Sequence, residues 1–92
     1  MLDWLSSLYE YRNIKEIADL IHDVEKLRSL YHNQRYDEIS MHISVLTLKY
    51  QKEAIAWNAV NHNMPTNADE SFRNAEAFLK NVAAEKMMDC VG

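Results

Sequence analysis

The sequence predicts an all-α protein. Three observations carry that expectation: no glycine precedes Gly92, Pro65 is the sole proline, and apolar residues recur at helical spacing over most of the chain. Glycine supplies most backbone turns with φ > 0 and proline most abrupt helix ends, so a chain with one of each, the glycine at its last position, is expected to run in long helices. These fall at about 2–11, 14–32, 37–62 and 68–88 of a single domain, residues 1–92. The expected architecture is a short N-terminal helix plus three longer ones, in an elongated antiparallel helical bundle or hairpin completed by dimerisation.

In the first segment Leu2, Trp4, Leu5, Leu8, Tyr9 and Tyr11 project to one side at about 100° per residue, opposite Asp3, Ser6, Ser7 and Glu10. Helices that lie in a membrane interface carry lysine and arginine on the polar face. Here that face is acidic, so packing on the bundle or on a partner is the expectation, with Trp4, Tyr9 and Tyr11 as exposed interface aromatics. Asn13 is placed to cap the next helix, with Glu16 completing a capping box. From Ile14 to His32 the apolar positions Ile14, Ile17, Leu20, Ile21, Val24, Leu27 and Tyr31 form one stripe, and Lys15, Asp19, His22, Asp23 and Lys26 are assigned to a solvated face.

Asn33 to Tyr36 make the expected turn, with Asn33 in the left-handed conformation and Asp37 capping the third helix. The run Tyr36-Asp37-Glu38-Ile39 resembles the turn of a tetratricopeptide hairpin, but bulky residues hold the family's glycine and alanine positions and no second copy occurs at a period near 34 residues. Nothing is carried over from that family.

The third helix, Asp37 to about His62, has two apolar faces. Ile39, Ile43, Leu46, Tyr50 and Trp57 project within one arc; Met41, Val45, Leu48, Ile55 and Ala59 lie about 180° away. One flank (Ser40, Ser44, Thr47, Gln51, Asn58) is uncharged and the other holds Glu38, His42, Lys49 and Glu53. The second stripe has to be covered by another helix, a second subunit or a foreign partner. A helix of about 25 residues would be about 38 Å long, more than the roughly 32 Å span of a compact chain of this size, which favours an extended dimer. Pro65 marks the loop before the last helix, with Thr66 or Asn67 as its cap and Asp69 or Glu70 completing a capping box. Phe72, Ala75, Leu79, Val82, Ala83 and Cys90 form that helix's stripe, with Phe78 at its edge.

Composition narrows function further. With 48% apolar and 26% charged residues the chain is expected to fold, and a net charge of −4 argues against binding nucleic acid through phosphate neutralisation. The single cysteine, Cys90, leaves no intramolecular disulfide. No cationic leader or long apolar run occurs, so a cytoplasmic location without a membrane partner is expected. The absence of internal glycine excludes Gly-rich phosphate loops. The histidines His22, His32, His42 and His62, even with the Asp19/His22 and Glu38/His42 spacings, do not make the inward carboxylate set of a di-metal bundle, so neither metal nor cofactor is expected.

One catalytic alternative rests on Arg35 and His42. An arginine followed by a histidine at this distance resembles the motif of HEPN-type ribonucleases, helical dimers whose site is assembled from two subunits. The resemblance implies His42 as general acid/base and Arg35 as stabiliser of phosphate charge, although Tyr36 stands where that family has a polar residue. The leading expectation is a non-catalytic protein–protein interaction module, homodimeric, acting as an inhibitor or adaptor on a larger protein, as a phage-encoded antagonist of a host defence system would. Its contact residues are Met41, Val45, Leu48 and Ile55, with Trp4, Tyr9 and Tyr11.

Overall fold

A computed structural model describes the backbone of residues 3–61 and 64–91 and the side chains of residues 3–61 and 64–88. Leu2, His62 and the side chain of Cys90, which the sequence placed on helices, lie outside the described residues. Within them every regular element is helical: α1 (Trp4–Leu8), a 3-10 turn (Tyr9–Tyr11), α2 (Lys15–His32), α3 (Tyr36–Lys49), α4 (Gln51–Val60) and α5 (Ala68–Val91). The chain measures 37 × 30 × 26 Å with a radius of gyration of 13.0 Å.

The expected rod from residue 37 to 62 is therefore two helices, and the expected elongation is absent. The break falls at Tyr50, whose φ of −111° and ψ of 48° leave the helical region. Helical hydrogen bonding closes on either side of it, from Tyr50 N–H to the Leu46 carbonyl at 2.9 Å and from Ala54 N–H to the Tyr50 carbonyl at 2.8 Å. Neither glycine nor proline makes this break. It lets α4 turn onto α5, burying Ala54 and setting Trp57 against Phe78 with ring centroids 6.1 Å apart.

Helix α2 is the centre of the fold and packs against α1, α3 and α5. Its stripe of Ile17, Leu20, Ile21, Val24 and Leu27 is buried, as are Leu5 and Leu8 of α1, Ile39 and Leu46 of α3, and Ala75, Phe78, Leu79, Val82 and Ala83 of α5. Two ties fasten the periphery. Arg28 bonds both carboxylate oxygens of Asp3, donates from Nε to Glu76 at 2.8 Å and lies 5.5 Å from the Trp4 ring centroid, joining α1, α2 and α5. Tyr31 stacks on Phe72 at 4.1 Å and its hydroxyl donates to Asp69.

The helix ends depart from the sequence reading in two places. Asn13 does not cap α2; the N-cap is Ile14, in extended conformation and without a side-chain cap bond. At the other end the left-handed residue is Gln34, with φ of 57°, not Asn33. Gln34 N–H bonds to the Tyr31 carbonyl at 3.1 Å and Arg35 N–H to the Leu30 carbonyl at 2.9 Å, the paired bonds of a Schellman ending with Gln34 where glycine usually sits. The Asn33 amide instead donates back to the Ser29 carbonyl at 2.9 Å. Asp37 lies inside the first turn of α3, which Arg35 precedes as N-cap. At α5, Asn67 Oδ1 accepts from Glu70 N–H at 2.9 Å while Glu70 Oε2 accepts from both the N–H and the hydroxyl of Thr66. Those bonds hold the Glu70 carboxyl below the usual carboxylate range.

A side chain at Gln34 disfavours the left-handed backbone, and that cost exceeds the extra chain entropy glycine brings to the unfolded state. Gln34→Gly should therefore raise the unfolding free energy by up to about 1 kcal/mol. Urea denaturation of the two proteins checks this, and a loss of stability would contradict the assigned backbone.

Candidate interaction surface

The outward stripe of α3 and α4 is uncovered in the single chain. Met41 is 69% exposed, Val45 57%, Leu48 74% and Ile55 67%, while Ile39, Leu46 and Tyr50 from the opposite side are buried. Among the described residues no helix lies over the second stripe, which leaves a second subunit or a foreign partner of the three coverings the sequence allowed. The three α3 residues are separated by four and three positions and so share a face. Beside them runs a groove of about 360 Å³ between α2 and α3, where Met41, Val45 and Leu30 meet His22, Lys26 and Glu38. At the C-terminal end of α3, Leu48 borders a second depression together with Lys52 of α4 and Glu16 and Asp19 of α2.

What positions the stripe is a polar cluster around Asp23, a residue that the sequence assigned to solvent and the structure buries. Asp23 is 7% exposed, and its Oδ2 accepts from the Tyr50 hydroxyl at 2.7 Å and from Lys49 Nζ at 2.8 Å. His42, expected on an open flank, is buried with Nε2 3.2 Å from the Asp23 backbone carbonyl. Burial, with the Asp23 carboxylate alongside, pushes the Tyr50 hydroxyl well above the ordinary tyrosine range. The cluster pins the inner face of α3 to α2 and so directs Met41, Val45 and Leu48 outward.

The aromatics near the N-terminus divide. Trp4 and Tyr11 pack against the core, which corrects their assignment as exposed; the tryptophan is held under Arg28. Tyr9 is exposed and its hydroxyl donates to Glu25, a bond that pushes the phenol above its usual range. Within one chain Arg35 and His42 do not come together. Arg35 is exposed and ion-paired with Glu38 at 2.9 Å, in a depression formed by residues 34–38, whereas the His42 ring faces the Asp23 backbone from a different depression.

Two other features complete the chemistry. Among the described residues no group of three or more His, Cys, Asp or Glu is placed to hold a metal ion, and no helix is long and apolar enough to cross a membrane. Between α3, α4 and α5 lies a cleft of about 130 Å³ bordered by Ile43, Thr47, Trp57 and Phe78. The Trp57 indole N–H is the one buried side-chain donor without a partner among the described residues. Comparison with family models, curated proteins and solved structures finds no match to this chain.

Tyr50→Phe should cost about 1–3 kcal/mol at neutral pH by removing a hydrogen bond to a buried carboxylate. The raised folded value stabilises the native state below the unfolded tyrosine value near 10.0 and withdraws that contribution as pH climbs through the folded value. Denaturation of both proteins from pH 7 upward should show the stability gap constant to about pH 9 and closing above about pH 10. A gap that widens with pH would refute the assigned Tyr50–Asp23 bond.

Proposed function

We propose that this chain is a non-catalytic protein–protein interaction module whose working surface is the outward stripe of α3 and α4. The supporting observation is the exposure of Met41, Val45 and Leu48 on one face of α3, and of Ile55 on α4, on helices whose inner faces already supply the core. Water-exposed apolar side chains in a contiguous row gain free energy when another protein covers them, at about 25 cal/mol per Å² of apolar area removed. Methionine adds adaptability, since its unbranched thioether chain fills irregular partner surfaces. A small acidic domain of this kind suits an inhibitor or adaptor that seats on a larger protein, the role a phage-encoded antagonist of host defence would fill. Assembly with itself belongs to the same reading.

The double substitution Val45→Glu/Leu48→Glu tests the surface. Both residues are exposed, so circular dichroism and unfolding free energy should stay within about 0.5 kcal/mol of the parent. Association measured by sedimentation, with itself or with a captured partner, should be lost. Unaltered association, with itself and with any partner, would refute the stripe as the working surface.

A further inference from the structure

We infer that the break at Tyr50 is a hinge through which two copies of this chain exchange their C-terminal halves. Helices α3 and α4 close into one helix, and the α4–α5 unit of each protomer packs on α2 and α3 of its partner. None of the residues of the outward stripe is needed, so the inference stands apart from the reading above.

The interruption is one residue wide. Tyr50 is the only residue between α3 and α4, and helical bonds close directly on both sides of it, to the Leu46 carbonyl and from the Ala54 N–H. Residues 36–60 hold neither glycine nor proline, and Leu46, Leu48, Lys49, Gln51, Lys52 and Glu53 about the break are all good helix formers. Local sequence therefore favours a helix that runs through. What opposes it is tertiary: the Tyr50 hydroxyl donates to the Asp23 carboxylate of α2 at 2.7 Å. That bond is the latch of the hinge.

Once closed, the helix cannot serve within one chain. Its residues 36–60 set Val60 about 36 Å from Tyr36. Helix α5 starts beside the Tyr36 end, because Tyr31, with its ring centroid 6.4 Å from that of Tyr36, stacks on Phe72 and bonds Asp69. The connection 61–67 reaches only about 29 Å at full extension, too short to bring α5 back to its own α2. The same seat on a second copy is open, since that copy's α5 has left it too, and mutual exchange of an identical element closes the assembly as a twofold dimer. The Arg28–Glu76 ion pair and the Tyr31–Phe72 stack then form between protomers, while Trp57 against Phe78 and Glu53 with Lys86 at 3.7 Å travel inside the exchanged unit. Given up is the contact of α3 with α4, which is loosely made. A cleft of about 130 Å³ lies there, and the buried indole N–H of Trp57, which borders it, has no partner among the described residues.

Refolding the full chain from urea at high protein concentration, followed by dilution and light scattering on a sizing column, tests the exchange. The wild type should yield a dimer that persists on dilution, and Tyr50→Phe, which removes the latch, should raise the dimer fraction several-fold. Charge reversal shows which copy supplies α5. Arg28→Glu and Glu76→Arg each set like charges against each other in the α2–α5 contact, whether that contact lies within a chain or between two copies of the same variant. Refolded together, they should give a dimer holding one chain of each, because both contacts are then of opposite charge. Val45→Glu/Leu48→Glu should exchange as the wild type does, so failure here and failure of the outward stripe are read separately. A wild type that refolds only to monomer, or a mixture of the two reversals that forms no mixed dimer, overturns the exchange. A Tyr50→Phe dimer no more abundant than that of the wild type overturns Tyr50 as its hinge.

Discussion

Asp23 is a carboxylate that α2 carries into the interior, and the groups that satisfy it set the path of the chain from α3 into α4. A buried charge is tolerated only with partners at hydrogen-bond distance, since removing it from water otherwise costs several kcal/mol. Both partners for its side chain come from one place, Lys49 at the end of α3 and Tyr50 at the break. Tyr50 reaches Asp23 with its backbone out of the helical region, so the polar requirement of α2 and the bend between α3 and α4 meet in one residue. That bend turns what would be a 25-residue rod into two helices of 14 and 10 residues that fit within 37 Å.

The fold class and the apolar stripes of α2, α3 and α5 were legible because side-chain period and backbone composition depend only on local sequence. The break at Tyr50 was not, because nothing local demands it: there is no glycine or proline, and the residue bends for a partner 27 positions away. A signal for that partner was nevertheless present. Asp23 comes three residues after Leu20 and four before Leu27, and His42 stands in the same relation to Ile39 and Leu46. Each polar residue therefore sits within a buried row, and assigning Asp23 to solvent and His42 to a charged flank weighed their chemistry above their position. The two meet across the α2–α3 contact, the His42 ring against the Asp23 carbonyl.

The outward stripe was read at the residues where the structure exposes it, because a helix face is fixed by period alone. Its covering was not readable, since that depends on which helices come near. The N-terminal aromatics show the same limit: Trp4 and Tyr11 are drawn inward by tertiary neighbours, Arg28 over the tryptophan among them, whereas Tyr9, whose hydroxyl bonds the exposed Glu25, stays at the surface.

Helix α3 also shows why a polar cluster is useful in so small a core. Its two faces are nearly equal in apolar content, Ile39, Ile43 and Leu46 against Met41, Val45 and Leu48, so burial alone discriminates weakly between the native arrangement and one rolled by half a turn. The rolled arrangement would take His42 away from the Asp23 carbonyl and leave the Asp23 carboxylate in the interior without Lys49. An uncompensated buried charge costs about 3–5 kcal/mol, a large share of the 5–15 kcal/mol that holds a domain together. The apolar faces thus supply the drive to pack while Asp23 selects which of them packs. With His42 taken inward, Met41, Val45 and Leu48 are left exposed on the outer face.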